Sequence, residues 1–117
     1  MATVAVVTTP SPGFSSLSEW TLTTTNLDGA PISIPGARDR SVIAFASAWG
    51  AATLVIQGSN DGTNWATLHD ESGVALSFTA GVTAHAIVEN FLYIRPFLSV
   101  AGTGASITVS ILSGRTT

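Results

Sequence analysis

The chain contains no cysteine and no lysine. The first absence excludes disulfide scaffolds, thiolate metal sites, cysteine nucleophiles and redox motifs. The second leaves four cations, all arginine: Arg38, Arg40, Arg95 and Arg115. With seven acids the net charge is −3, and the charged fraction is 9%, well under half of the ~25% typical of soluble domains. Affinity for a phosphate backbone comes from clustered Lys and Arg, so nucleic acid is excluded as a partner. The same shortage excludes a reader of anionic membrane surfaces. Long apolar runs are missing too. Stretches such as 42–50 are far shorter than the ~18 residues of a membrane-spanning helix. The opening Met-Ala-Thr-Val-Ala-Val-Val-Thr-Thr-Pro has neither a basic region nor a full apolar segment, so no secretory leader is expected.

What is present is apolar and hydroxyl-bearing: 45% of the 117 residues are hydrophobic, among many Ser and Thr. Length and mass predict a single domain, with roughly 5,900 Å² exposed when folded and about 17,000 Å² unfolded. A core of useful size therefore forms without disulfides. Residues 1–16 read as an arm: 3–9 suit a strand, and Pro10-Ser11-Pro12-Gly13 breaks the chain at once. Residues 17–117 read as one β domain. Expected strands cover 20–25, 40–49, 53–58, 64–68, 74–78, 82–88, 91–100 and 105–112, with a short extended piece at 31–35 and a turn at Gly36-Ala37-Arg38-Asp39. In 40–49 one face carries Val42, Ala44, Ala46 and Ala48, and the other Ile43, Phe45, Ser47 and Trp49. The last strand is the clearest, since Ala105, Ile107, Val109 and Ile111 alternate with Ser106, Thr108 and Ser110. Pro96 places its strand at an edge or on a bulge. Asp61-Gly62 between two apolar runs marks a tight hairpin, because Gly accepts positive φ without Cβ strain. Roughly eight or nine short strands at intervals of about ten residues predict an all-β antiparallel sandwich or jelly roll with an extended N-terminal arm.

Catalytic chemistry finds little support. Nucleophilic catalysis needs a nucleophile, a base and an orienting group. His69 and His85 are the only histidines, and no Gly-x-Ser-x-Gly elbow occurs; Gly58-Ser59-Asn60-Asp61-Gly62 ends in turn chemistry. His69-Asp70-Glu71 groups three potential metal ligands, but neighbours on a strand point to opposite faces, and Gly73 follows, which describes a solvated turn. His85, between Thr83 and Ile87, reads as a surface or interface residue. Asp61 lacks the bidentate Glu of a calcium loop, and Gly102-Thr103-Gly104 precedes no helix that would cradle phosphate. The expectation is a non-enzymatic protein with no catalytic, cofactor or metal residues. Among the aromatic residues, Trp20 and Trp49 are large enough to anchor an interface. Trp65, in a hairpin arm, is read as core. Trp49 precedes Gly50-Ala51-Ala52 at a strand end, where an indole can stack on a sugar ring.

The segment Leu54-Val55-Ile56-Gln57-Gly58-Ser59-Asn60-Asp61-Gly62-Thr63-Asn64-Trp65-Ala66-Thr67-Leu68, with Tyr93-Ile94-Arg95-Pro96 downstream, resembles small β-sandwich proteins of tailed phages, including capsid decoration (cement) proteins. It is also similar to the hairpin of discoidin-type carbohydrate-binding jelly rolls, but the paired cysteines common there are absent. The phage resemblance implies a virion protein made in the bacterial cytoplasm. Such a protein binds the major capsid protein on the outer capsid surface, often as a homotrimer at threefold points, and stabilises contacts between capsomers. Its hairpin core is Gly58, Asp61, Gly62 and Trp65. Arms commonly reach across subunits in such proteins, so Thr3, Val4, Val6, Pro10, Pro12 and Phe14, with Trp20 and Trp49, are the expected contact residues. The alternatives are a carbohydrate-binding module on a fibre, taking a host-surface glycan, and a tail or head–tail connector component. Few charges over roughly 5,900 Å² leave a surface of hydroxyl, amide and apolar groups, which favours a protein partly covered in its working state.

Overall fold

In the computed structural model, residues 3–10, 15–33, 37–81, 83–89 and 91–115 are described. Among them nine strands form and no helix: β1 (Val7–Pro10), β2 (Ser15–Thr23), β3 (Ala37–Ala48), β4 (Thr53–Ser59), β5 (Ala66–Thr67), β6 (Ser77–Phe78), β7 (Thr83–Ile87), β8 (Tyr93–Val100) and β9 (Ser106–Arg115). They make two antiparallel sheets. One has five strands in the order β1-β2-β9-β3-β7. In the other, β4 is central, with β8 along one side and β5 and β6 in succession along the other. The fold is the expected all-β sandwich. Its Cα radius of gyration of 13.3 Å is that of a globule of this length.

Period-two alternation decides which side chains lie between the sheets. From the five-stranded sheet come Trp20 and Leu22, Val42 and Ala44, and Ile107, Val109 and Ile111. They meet Leu54, Ile56, Leu68, Leu76, Ile94 and Leu98 from the opposite side. Towards one end this inner face turns polar: Ser18, Ser113 and Arg40 are buried, and neither serine hydroxyl has a hydrogen-bond partner. Burial pushes the Arg40 guanidinium below its ordinary value.

Pro96 lies in β8, whose second edge meets irregular chain: Ile94 exchanges backbone hydrogen bonds with Ile32, and Leu98 N–H donates to Leu27 O at 2.9 Å. The missing N–H of Pro96 falls in that same edge series, where Gly29 N–H donates to Pro96 O at 2.9 Å. The edge placement expected from proline holds. Gly29 is required here by a close approach, because a Cβ would lie 2.7 Å from the Pro96 ring and 2.8 Å from Trp20 Cδ1.

Several boundaries differ from the sequence expectation, β2 for one beginning at Ser15 and not at 20, and three points bear on the surfaces. Ala37 to Asp39, expected in a turn, continue β3 through a register shift between Ala37 and Asp39. β9 runs on to Arg115, because Gly114 pairs with Ser15 on one side and Asp39 on the other. The third concerns the arm. Its described part is extended but lies on its own domain: β1 is the edge strand beside β2, and Val4 N–H donates to Asp28 O while Ala30 N–H donates to Val4 O, both at 2.7 Å.

Candidate functional site

The hairpin expected at Asp61-Gly62 joins β4 to β5, with Gln57 opposite Thr67 and Gly58 opposite Ala66. Gly62 has φ +76°, the left-handed conformation the turn demands. Asp61 organises the loop. Its Oδ1 accepts the Thr63 and Asn64 N–H groups and the Ser59 hydroxyl at 2.8 Å each, and Oδ2 accepts Asn64 Nδ2 at 2.7 Å. The Asn64 and Thr63 backbone bonds, then the Asn64 and Ser59 side chains, hold the Asp61 carboxyl well below the usual carboxylate range. These four bonds engage both oxygens with protein donors, so the carboxylate serves to close the turn.

Among the described residues the acids and histidines form two separate pairs, His85 with Asp70 and His69 with Glu89. Asp70 closes a turn, accepting Ser72 N–H at 2.8 Å and Val74 N–H at 3.0 Å. The Val74 and Ser72 bonds, with the nearby His85, lower its carboxyl below the ordinary value. His85 pairs with Val42, and Ile87 with Arg40, so both lie on the inward-parity face of β7, and the His85 side chain remains 36% exposed. The half-buried imidazole stacks on Phe78 with centroids 5.1 Å apart, and Nδ1 lies 3.4 Å from Asp70 Oδ2. His69 pairs instead with Glu89, its backbone N–H donating to Oε1 and Nδ1 lying 3.3 Å away. Among the described residues no three His, Cys, Asp or Glu side chains gather around one point.

The expected contact residues are mostly engaged within the chain. Trp20 is 2% exposed and its indole N–H donates to Ala30 O at 2.9 Å; it is a core residue, contrary to the expectation of an interface anchor. Trp49, Val4 and Val6 are half-buried against the core. Thr3 donates its hydroxyl to Asp28 Oδ2 at 2.8 Å. Pro10 ends β1, paired with Ser16. Pro12 and Phe14 lie outside the described residues.

What the structure presents outward are two sheet faces. The first is the outer side of the five-stranded sheet. One row across it reads Val7, Glu19, Ser110, Ile43 and Ala84; the next reads Leu17, Leu112, Ser41 and Ala86; a third joins Thr21, Thr108 and Phe45. Ile43, Phe45 and Leu112 are 42%, 43% and 43% exposed. Glu19 is the single charge among the described side chains of these rows. An open concavity of about 540 Å³ at one end is lined by Ser41, Ala86, Val88 and Leu112 together with Arg40 and Glu71.

The second is the outer side of the four-stranded sheet. Gln57 lies opposite both Arg95 and Thr67, and Val55 opposite both Phe97 and Ser77. The Arg95 guanidinium carbon is 4.1 Å from the centroid of a Trp65 ring and 5.2 Å from that of Phe97. Its Nε–H donates to Gln57 Oε1 at 3.0 Å. Trp65 is therefore not core: it is a half-buried platform on the outer surface. The arginine and its clamp were missed as a site, although the signal was present, since Gln57, Trp65 and Arg95 all belong to the two segments that carried the resemblance.

No family model and no curated protein matches the chain.

Proposed function

We propose that this chain is a non-enzymatic virion protein, a capsid decoration protein that binds the major capsid protein on the outer surface of the shell and fastens neighbouring capsomers by buried area. The observation that carries the reading is the outer face of the five-stranded sheet, where Ile43, Phe45 and Leu112 stand exposed among hydroxyls and Glu19 is the single charge among the described side chains of their rows. Contiguous exposed apolar patches on soluble proteins mark interaction surfaces. The resemblance of the 54–68 hairpin supplies the setting, including the homotrimeric state.

The mechanism is additive burial. At ~25 cal/mol per Å², a few hundred Å² of apolar contact per copy is modest against the cost of association. Repeated through an oligomer and around a shell, it becomes avidity. The test is co-sedimentation with shells assembled from the cognate capsid protein without this chain. The wild-type protein is expected to pellet with the shells. The double variant Ile43→Arg, Phe45→Arg is expected to stay in the supernatant with an unchanged melting temperature, since both side chains already face water. Failure of the wild type to attach, or full attachment of the double variant, overturns the reading. Deleting residues 1–14 is a poorer probe, because Val4 and Val6 pack against the core and their loss disturbs the fold as well.

A further inference from the structure

A clamp needs two contacts, and the outer face of the five-stranded sheet provides one. We infer that the outer face of the four-stranded sheet is the second, with Arg95 as an anchor that takes a carboxylate side chain of a partner protein in a two-pronged hydrogen bond.

The guanidinium is held before any partner arrives. Trp65 and Phe97 stack on it at 4.1 and 5.2 Å, and Gln57 fixes Nε at 3.0 Å. A long side chain normally loses rotamer freedom when it binds; here two rings and a hydrogen bond have already removed it. The Nη groups make no hydrogen bond with any described residue, so the fork that matches a carboxylate edge is still available. Half-burial strengthens such a pair relative to one in open water.

The same geometry selects the ligand. No second cation lies on this face among the described side chains, and Asp28 acts on Arg95 through space. A singly charged carboxylate is therefore favoured over a phosphate dianion. A sugar would need the ring faces for stacking, and the guanidinium already occupies one face of each ring. Small-ligand sites are concave, whereas Trp and Arg on an open sheet surface are the anchors of protein interfaces. The inference rests on the assembly reading for which protein supplies the carboxylate, and not for the carboxylate itself.

The experiment is a nitrogen-15 NMR titration following the Arg95 Nε–H and Trp65 indole N–H signals. The probes are a capped hexaglutamate peptide, a capped hexaglutamine peptide and an oligosaccharide of glucuronic acid with matched charge. Hexaglutamate is expected to shift both signals saturably. Arg95→Lys, which keeps the charge and loses the fork, is expected to weaken that binding at least about tenfold, and Arg95→Gln to abolish it, with both variants folded by their spectra. An equal response to hexaglutamine, tighter binding of the oligosaccharide, or unchanged affinity in Arg95→Lys overturns the inference. Co-sedimentation of the same variants with shells separates the two readings. Peptide binding without shell attachment overturns the capsid partner alone, and shell attachment without peptide binding overturns the Arg95 anchor alone.

Discussion

The two outer faces are made by the same backbone rule and carry opposite chemistry. On the five-stranded sheet the outward positions are Ile43, Phe45 and Leu112 among Ser and Thr. Such a face gains by excluding water over a wide area and is indifferent to which apolar surface covers it. On the four-stranded sheet the outward positions bring Gln57, Arg95, Phe97 and Trp65 together. There the gain is concentrated at one oriented charge, and orientation makes it selective. In the proposed assembly the first face would supply adhesion and the second register. Both rest on one core, so a change in that core moves them together.

That dependence gives the largest expected effect. Gly29→Ala puts a methyl group against Pro96 and Trp20, where the four-stranded edge meets the five-stranded sheet. Overpacking of this kind costs about 1–3 kcal/mol. The variant is expected to melt several degrees lower and to weaken both contacts, read by calorimetry and shell binding together. A normal melting temperature would mean that this seam yields freely and that the two faces are not held in fixed relation.

Salt divides the faces more finely. Raising sodium chloride is expected to weaken the hexaglutamate contact severalfold, since a partly exposed charge pair is screened. Adhesion through the apolar face is expected to hold or strengthen. If both fall in parallel, the contrast between the faces fails.

The smallest effect concerns the hairpin that carries Trp65 to its position under Arg95. The folded-state value of Asp61 lies below the ordinary 3.8, so its contribution is present above that value and is lost as pH falls through the lower folded value. Asp70 acts in the same direction. Asp61→Asn is expected to be modestly less stable than the wild type near neutrality and to show a shallower loss of stability below about pH 4, so that the two converge in acid, as measured by melts across the pH range. An identical acid slope would show that the hydrogen bonds to the Asp61 carboxylate add nothing to the fold.

Much of the sandwich was legible in the sequence because its signals are local. The alternation of 105–111 survives as β9, with Ile107, Val109 and Ile111 buried. The Asn-Asp-Gly turn forms where its φ requirement placed it, and Pro96 sits at an edge. The continuation of β3 and β9 past their expected ends was not legible, because Ala37 and Gly114 carry no strand preference and are extended by partners far away in sequence. Residues 3–10 illustrate the same limit. Their apolar positions announced a strand but not its partner, and Val4 finds Gly29 twenty-five positions later.

The sequence by itself determined the class of the protein: an all-β chain of short alternating strands, poor in charge, with a hairpin turn at 59–62. These follow from the period of two, from turn stereochemistry and from composition, none of which depends on distant residues. Only the tertiary structure decided which parity of each strand faces the core. That choice sent Trp20 inward and Trp65 outward, and turned His85 towards Phe78. It also set Arg95 between two rings that lie thirty positions before it and two after. A strand offers two equivalent faces, and only pairing register and the opposing sheet distinguish them.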